Sequence, residues 1–192
     1  MPNMPSFSIV FPVVSLVVAL GLPLSVAHAE KADRDQPLHF SADSARVDEP
    51  KKLNILTGRV EITKGSMVFR AARVEIRQNA DGTQTATALG GAEGLAYFRQ
   101  KREALDETIE GEADRIEYDG RLDTVRFTGH AVMRRLSGAA LADEVAGQTI
   151  LYDNKTEVFQ VVGGGTSAVP SGRVRGVITP RSAPKVERES AR

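Results

Sequence analysis

A short alternating phrase recurs along the chain and constrains its fold more than any other feature. It reads Arg, β-branched, acidic, large apolar at residues 73–76 and 115–118, with looser copies at 46–48 and 149–152. Each copy alternates polar and apolar side chains, which is the period-2 pattern of a strand with one solvated and one buried face. A strand pattern that recurs in this way predicts a repetitive β-sheet.

The repeat extends beyond the phrase. Residues 42–47 can be aligned with 111–116, and the tetrapeptide at 57–60 (Thr-Gly-Arg-Val) with 128–131 (Thr-Gly-His-Ala). The two alignments differ by two positions, so we expect an insertion or deletion in a turn between the matched blocks. One hairpin-based unit used twice favours a scaffold over an active site.

Between residues 37 and 180 the chain is typical of an all-β domain, with short strands and turns at regular spacing. Strands are predicted at 38–47, 52–64, 66–78, 84–89, 93–101, 108–118, 122–136, 140–152, 156–162 and 172–179, several of them long enough to bend. Turn residues such as Asp81-Gly82 and Asp119-Gly120 separate them. Residues 101–112 carry a weak helical stripe, which Gly111 and β-branched Thr108 and Ile109 oppose.

The predicted sheet has one apolar and one charged face. With no helical layer to cover it, the apolar face must fold onto itself as a barrel, sandwich or V-shaped roll. The residues expected on it are Phe40, Leu53, Ile55, Val60, Ile62, Met67, Phe69, Val74, Ile76, Ile116, Tyr118, Val125, Phe127, Ile150 and Tyr152.

The N-terminal residues have the features of an export signal. An apolar run at 7–26 ends on Ala27-His28-Ala29, whose small outer residues suit signal peptidase. We expect residues 1–29 to be cleaved, and 30–36 to form a short linker before a domain at 37–180. A retained membrane anchor is the competing interpretation, because the run approaches the length that spans a bilayer. Either way the folded part lies outside the cytoplasm, and residues 181–192 are expected to form a disordered tail.

Composition and motifs give no sign of an enzyme. Cysteine is absent, and 25 basic residues balance 25 acidic ones, so no broad basic field would attract nucleic acid. His39 and His130 lie far apart without zinc-binding spacing. The acidic stretch at 106–114 lacks a calcium-loop pattern, and the glycine triplet at 163–165 lacks the context of a phosphate cradle. We therefore expect no catalytic residues, no metal and no cofactor.

Several stretches in order resemble the OstA-like (LptA) family of lipopolysaccharide transport proteins from Gram-negative bacteria. They are residues 35–40 (Asp-Gln-Pro-Leu-His-Phe), 42–43, 57–60, 62–65, 96–100 (Ala-Tyr-Phe-Arg-Gln), 110–118, 127–131 and 172–180. Together they cover nearly all of the expected mature chain. The resemblance implies an antiparallel β-jellyroll, V-shaped like a folded taco, with an apolar interior groove for acyl chains.

The resemblance also implies a function and a set of groove residues. The protein would be a periplasmic component of a bridge that carries lipopolysaccharide from the inner to the outer membrane for outer-membrane assembly. Its partners would be an LptC-like inner-membrane protein, an LptD-like outer-membrane protein and further copies of itself, joined end to end. The acyl-chain contacts implied, or expected from their inward alternation, are Leu38, Phe40, Ile55, Ile62, Phe69, Ile76, Phe98, Tyr118 and Phe127.

Two alternatives stay open. A retained anchor at residues 7–26 would favour an LptC-like membrane component of the same pathway. A structural β-repeat protein with a closed core would need the same apolar residues but would bind no lipid.

Overall fold

The computed structural model describes Asp33, residues 36–102 and residues 106–180. The regular secondary structure of these described residues consists of strands only, which confirms the all-β prediction. The strands are β1 (Leu38–Ser41), β2 (Ser44–Asp48), β3 (Leu53–Lys64), β4 (Met67–Gln78), β5 (Gln84–Leu89), β6 (Ala96–Arg102), β7 (Glu107–Ala113), β8 (Arg115–Asp119), β9 (Thr124–Ser137), β10 (Ala140–Asp153), β11 (Val158–Val162) and β12 (Arg175–Ile178). The signal peptide and tail predictions lie outside the described residues.

Two predicted strands are each divided in the structure. The strand expected at 38–47 breaks at Ala42-Asp43 into β1 and β2, and that expected at 108–118 breaks at Asp114 into β7 and β8. The weak helical stripe at 101–112 does not form a helix, as Gly111, Thr108 and Ile109 indicated, since its described residues lie in β6 and β7 or immediately before β7.

Four long strands, β3, β4, β9 and β10, bend and run through two sheets. The front sheet has the order β1-β3-β4-β6-β7-β9-β10-β12, and the back sheet has the order β2-β3-β4-β5-β8-β9-β10-β11. Every pairing is antiparallel. Sharing the bent strands joins the two sheets along one spine, so the predicted V-shaped jellyroll is confirmed.

The internal repeat of the sequence corresponds to two equivalent backbone contacts at the spine. Gly58 and Gly129 have φ of 78° and 75°, which Gly adopts without strain, and each accepts a 2.9 Å backbone hydrogen bond, from Asp43 and Asp114 respectively. Asp43 is separated from Asp114 by the same number of residues as Gly58 from Gly129. The insertion expected between the repeated blocks is therefore wrong: aligning 42–47 with 111–116 placed the first block two residues out of register.

A second repeated device shapes the hairpin ends of the back sheet. The side chains of Asp48, Asp119 and Asp153 each accept hydrogen bonds from backbone N-H groups two or three residues later. Four residues after each aspartate the chain takes a left-handed conformation, with φ between 50° and 61°, at Lys52, Asp123 and Glu157. Asp side chains stabilise such turns by replacing missing backbone partners.

The core lies between the two inner faces. A row of inward residues crosses all eight strands of the back sheet: Ala45, Leu56, Val74, Ala88, Ile116, Phe127, Ile150 and Val161. The corresponding row of the front sheet is Phe40, Ile62, Phe69, Phe98, Gly111, Met133, Val145 and Gly176. Away from the edge strands these side chains are buried, and their burial is the main source of stability.

One part of the face prediction is wrong. Leu53 and Ile55 were expected to point inward, but Leu56 is the buried residue, paired with Val74, while Ile55 pairs with Glu75 and Arg46 on the outer face. Two adjacent apolar residues, Ile55 and Leu56, make the strand period ambiguous, and the pairing register decides it.

Candidate functional site

The predicted groove residues of the front sheet lie side by side. Phe40, Ile62, Phe69 and Phe98 are successive cross-strand partners, so their side chains share the inner face. Phe98 is fully buried, whereas Phe40 on edge strand β1 is 51% exposed. Leu38, also on β1, is partly buried against the core. The row therefore runs from a dry centre to an open edge.

The groove residues of the back sheet face this row. Ile76 and Phe127 are buried, and Tyr118 packs partly buried against the same core. Of the nine predicted residues, only Ile55 is not brought into the interior or its edge, because it lies on the outer face.

Aromatic rings connect the two inner faces. The ring of Phe69 lies 5.0 Å from Phe98 and 6.4 Å from Tyr118, and Phe98 lies 6.0 Å from Phe127. The absence of a side chain at Gly111 makes room for Phe127, since a Cβ there would come within 2.6 Å of its ring. These tilted and edge-on contacts fill the centre, so an acyl chain could enter only if the rings moved.

Six of the ten exposed large apolar residues of the described chain lie on the edge strands at the two ends of the sheets. One end has Phe40 and Val47 on β1 and β2; the other has Val158, Val162, Val177 and Ile178 on β11 and β12. Each of these four strands has a partner on one side only within the described chain. An open edge offers unpaired N-H and C=O groups to another strand, and the exposed apolar side chains add surface that pairing would bury.

Sequence reasoning missed a charged cluster inside the jellyroll, formed by Arg102, Glu107, Arg135, Asp143 and Glu157. Arg135 is 8% exposed, and its guanidinium donates to Asp143 at 2.7 to 2.8 Å and also pairs with Glu107. The register puts Arg135 directly beside Ile109, on the inner face. The alternating pattern assigned charged residues to the outer face, so no sequence signal separated these from the rest.

Burial and nearby charges shift the pKa of two groups at the cluster, Arg102 and Tyr152. Burial alone would lower the pKa of Arg102, but its hydrogen bond with Glu157 and the nearby acidic groups raise it overall. Burial raises the pKa of Tyr152 to about 12. Below the cluster lies a cavity of about 40 Å³, lined mainly by apolar and aromatic groups that include Ile109, Met133, Val145, Tyr152 and Phe159.

Two other kinds of feature are absent from the described residues. No group of three or more His, Cys, Asp or Glu side chains is placed to hold a metal ion in the part of the chain that the structure describes. Across residues 36–102 and 106–180, none of the structure is a helix with the length and apolar character needed to cross a bilayer.

The family model described as "LptA/(LptD N-terminal domain) LPS transport protein" matches residues 39–158, well over half of the chain. The chain belongs to this LptA/LptD N-terminal domain family. The match runs from β1 to the first residue of β11 and contains every predicted groove residue except Leu38.

Individual family members show the same similarity. The lipopolysaccharide export system protein LptA of Haemophilus influenzae is 29% identical over 153 residues, 77% of this chain and 83% of the relative. LptA of Escherichia coli K12 is 26% identical over 145 residues, 76% and 75% of the two chains. The crystal structure of LptH from Pseudomonas aeruginosa, titled the LptA homologous periplasmic component of a lipopolysaccharide transport device, matches with a TM-score of 0.66 and 25% identity. That match covers 78% of this chain and 99% of LptH.

Proposed function

We propose that this protein carries lipopolysaccharide across the periplasm as one segment of a bridge from the inner to the outer membrane. The observation that carries the proposal is the continuous inward row, which runs from exposed Phe40 on edge strand β1 through the buried core to Val145 on β10. Membership of the LptA/LptD N-terminal domain family supports it.

The physical requirement for such a bridge is severe. A lipid with several acyl chains cannot cross water unaided, because each buried CH₂ group is worth about 0.8 kcal/mol. Leu38, Phe40, Ile62, Phe69, Ile76, Phe98, Tyr118 and Phe127 are the proposed acyl-chain contacts. The phosphates and sugars of the lipid would remain in solvent at the open side of the V.

The open edge strands are the proposed binding sites for partner proteins. β1 and β2 would pair with an LptC-like inner-membrane protein or with a second copy, and β11 and β12 with another copy or an LptD-like outer-membrane protein. Sheet continuation supplies backbone hydrogen bonds, while Val177 and Ile178 would be buried at the junction. The role is non-enzymatic, and energy for transport would come from elsewhere in the system.

The proposal requires export to the periplasm. Cleavage after Ala29 would release the chain into that compartment, whereas retention of residues 7–26 would make it an LptC-like anchored component. N-terminal sequencing of the protein purified from the periplasm decides between them: a first residue of Glu30 supports cleavage.

Photo-crosslinking in cells tests lipid binding. A photoreactive amino acid replaces Phe40 or Phe98 on the inner face, or Arg115 at an outward control position, and adducts are probed with antibody to lipopolysaccharide. Adducts at the two inner positions but not at residue 115 support the groove. A folded, exported protein with no adduct at either inner position would instead be a structural β-repeat protein with a closed core.

Edge pairing has its own test. Replacing Val177 and Ile178 with Lys together should abolish concentration-dependent association in sedimentation velocity, since charged side chains block strand addition. Leu122→Lys is the control, because Leu122 is 51% exposed and lies in the turn before β9, away from the edge strands. Equal loss in both variants would contradict edge-to-edge pairing.

A further inference from the structure

An ion pair crosses from one sheet to the other on the side opposite the spine. Arg102 is the last residue of β6, at the end of the front sheet where β7 begins. Glu157 lies in the turn between β10 and β11 of the back sheet. Arg102 and Glu157 both lie at strand ends remote from the bends at Gly58 and Gly129. The pair therefore joins the two rims of the open side of the V.

Other charge contacts do not have this geometry. Within residues 36–102 and 106–180, the remaining ion pairs join residues of one sheet, of its turns or of the bends at the spine. The contacts between the sheets deeper in the molecule are apolar and aromatic, such as Phe69 with Tyr118. Nearer the open side, the charge-assisted contact between Arg102 and Glu157 is the ion pair that joins the two rims.

Arg102 and Glu157 differ in the groups that would stabilise their charges if the ion pair broke. The Arg102 side chain is 11% exposed and also pairs with Glu107, so it keeps a buried partner if Glu157 leaves. The Glu157 side chain is 51% exposed and can be hydrated at once. Separation therefore leaves no bare charge in the interior, which is the main obstacle to breaking a buried ion pair.

The pair also covers apolar space. The cavity below it is lined by Ile109, Met133, Val145 and Phe159 as well as by the charged cluster. Opening the rims at this point would connect the cavity, and beyond it the inner row at Met133 and Phe98, to the outside.

We propose that Arg102 and Glu157 form a clasp across the open side of the jellyroll, and that release of Glu157 is the step that admits apolar chains to the interior. The inference rests on the proposed function for the identity of the ligand, but the clasp itself is a property of the free protein. Glu107, Arg135 and Asp143 hold Arg102 in place in both states.

Hydrogen exchange of the purified, delipidated protein tests the clasp without a lipid. Glu157→Gln removes the negative charge but keeps a side chain of nearly the same size and shape at this left-handed position, where φ is 59°. Because Glu157 is half exposed, we expect about a threefold to tenfold faster amide exchange in β6-β7 and in β10-β11 together. Glu117→Gln is the matched control, since Glu117 pairs with Arg115 within β8 on the outer face. Faster exchange confined to the β10-β11 turn would overturn the clasp.

Ligand entry is measured on the same proteins. Association of the fluorescent apolar probe 1-N-phenylnaphthylamine, and separately of lipid A, should be about threefold to tenfold faster in Glu157→Gln than in the wild type or Glu117→Gln. Unchanged association of the probe would overturn the gating role. A third outcome separates the two proposals. If amide exchange in β6-β7 and β10-β11 rises together and the probe associates faster, but lipid A binds neither protein, the clasp stands and the proposed lipopolysaccharide function fails.

Discussion

Asp43 accepts a 2.6 Å hydrogen bond from the guanidinium of Arg59 at the spine of the jellyroll. In the second half of the fold, Asp114 lies 2.9 Å from Nδ1 of His130 at the matching position. Arg59 and His130 both have positive φ, of 41° and 47°, and each follows a glycine. An acidic residue at the strand break and a Gly-basic bulge on the neighbouring strand are thus one device used twice to bend the sheet.

The bend predicts a specific effect of Gly58→Ala. At φ 78° any other residue is strained, and a Cβ there would lie 2.3 Å from Oδ2 of Asp43. Gly82→Ala is the control, because Gly82 has φ 82° but nothing within 4 Å of its Cβ position. We expect Gly82→Ala to lose about 1 kcal/mol of unfolding free energy in urea from backbone strain, and Gly58→Ala to lose more. Equal losses would contradict a role for the Asp43 contact.

The core predicts a contrast between two phenylalanines of the same row. Phe98→Ala should lower the unfolding free energy by about 3–5 kcal/mol, since Phe98 is fully buried between Phe69 and Phe127. Phe40→Ala at the edge should lower the stability of the monomer by only about 1 kcal/mol, since about half of the side chain is exposed already. Chemical denaturation at low protein concentration measures both unfolding free energies. A loss at Phe40 as large as that at Phe98 would show that Phe40 is buried in the folded monomer.

Much of the fold could be predicted because strand period and turn residues are local signals. The breaks at Asp43 and Asp114 were not located, although bending was expected, because the Gly58 and Gly129 bulges that cause them lie on neighbouring strands. The inward choice of Leu56 over Ile55 depends likewise on pairing with Val74. Such features are set by register, which alternation alone does not fix.

The site was predictable in its apolar part and not in its polar part. Phe98 and Phe127 follow from resemblance and alternation. Arg135 and Asp143 look like surface charges in the sequence, and only the cross-strand register brings them together on the inner face. Val177 and Ile178 have the pattern of core residues, yet β12 is an edge strand and leaves both exposed.

The buried cluster predicts that Arg135→Met is strongly destabilising. The substitution leaves the buried carboxylate of Asp143 without its guanidinium partner, a loss on the order of 3 kcal/mol in urea unfolding. Arg126→Met, on the exposed outer face of the same strand, is the matched control and should change stability by about 0.5 kcal/mol or less. Adding Asp143→Leu to Arg135→Met should recover part of the loss; no recovery would mean that packing, not charge, is responsible.

Tyr152 predicts a loss of stability at alkaline pH. Burial raises its pKa to about 12, and Glu157, Glu107 and Asp123 act in the same direction against the opposing effect of Arg102. In the unfolded chain the phenol ionises near its ordinary value of about 10, so between these two values the unfolded state has already released the proton that the folded state still holds. Stability from this group is complete below about pH 10 and is lost as the pH rises towards 12.

Tyr97, whose pKa burial and a hydrogen bond to Glu110 also raise to about 12, adds to the same slope. Urea unfolding midpoints measured at several pH values across this window should fall less steeply in Tyr152→Phe than in the wild type. Tyr97→Phe measures the separate share of the second phenol. An unchanged slope in Tyr152→Phe would mean that its hydroxyl is hydrated in the folded protein, and that the end of the interior beside the Arg102–Glu157 clasp is already open to water.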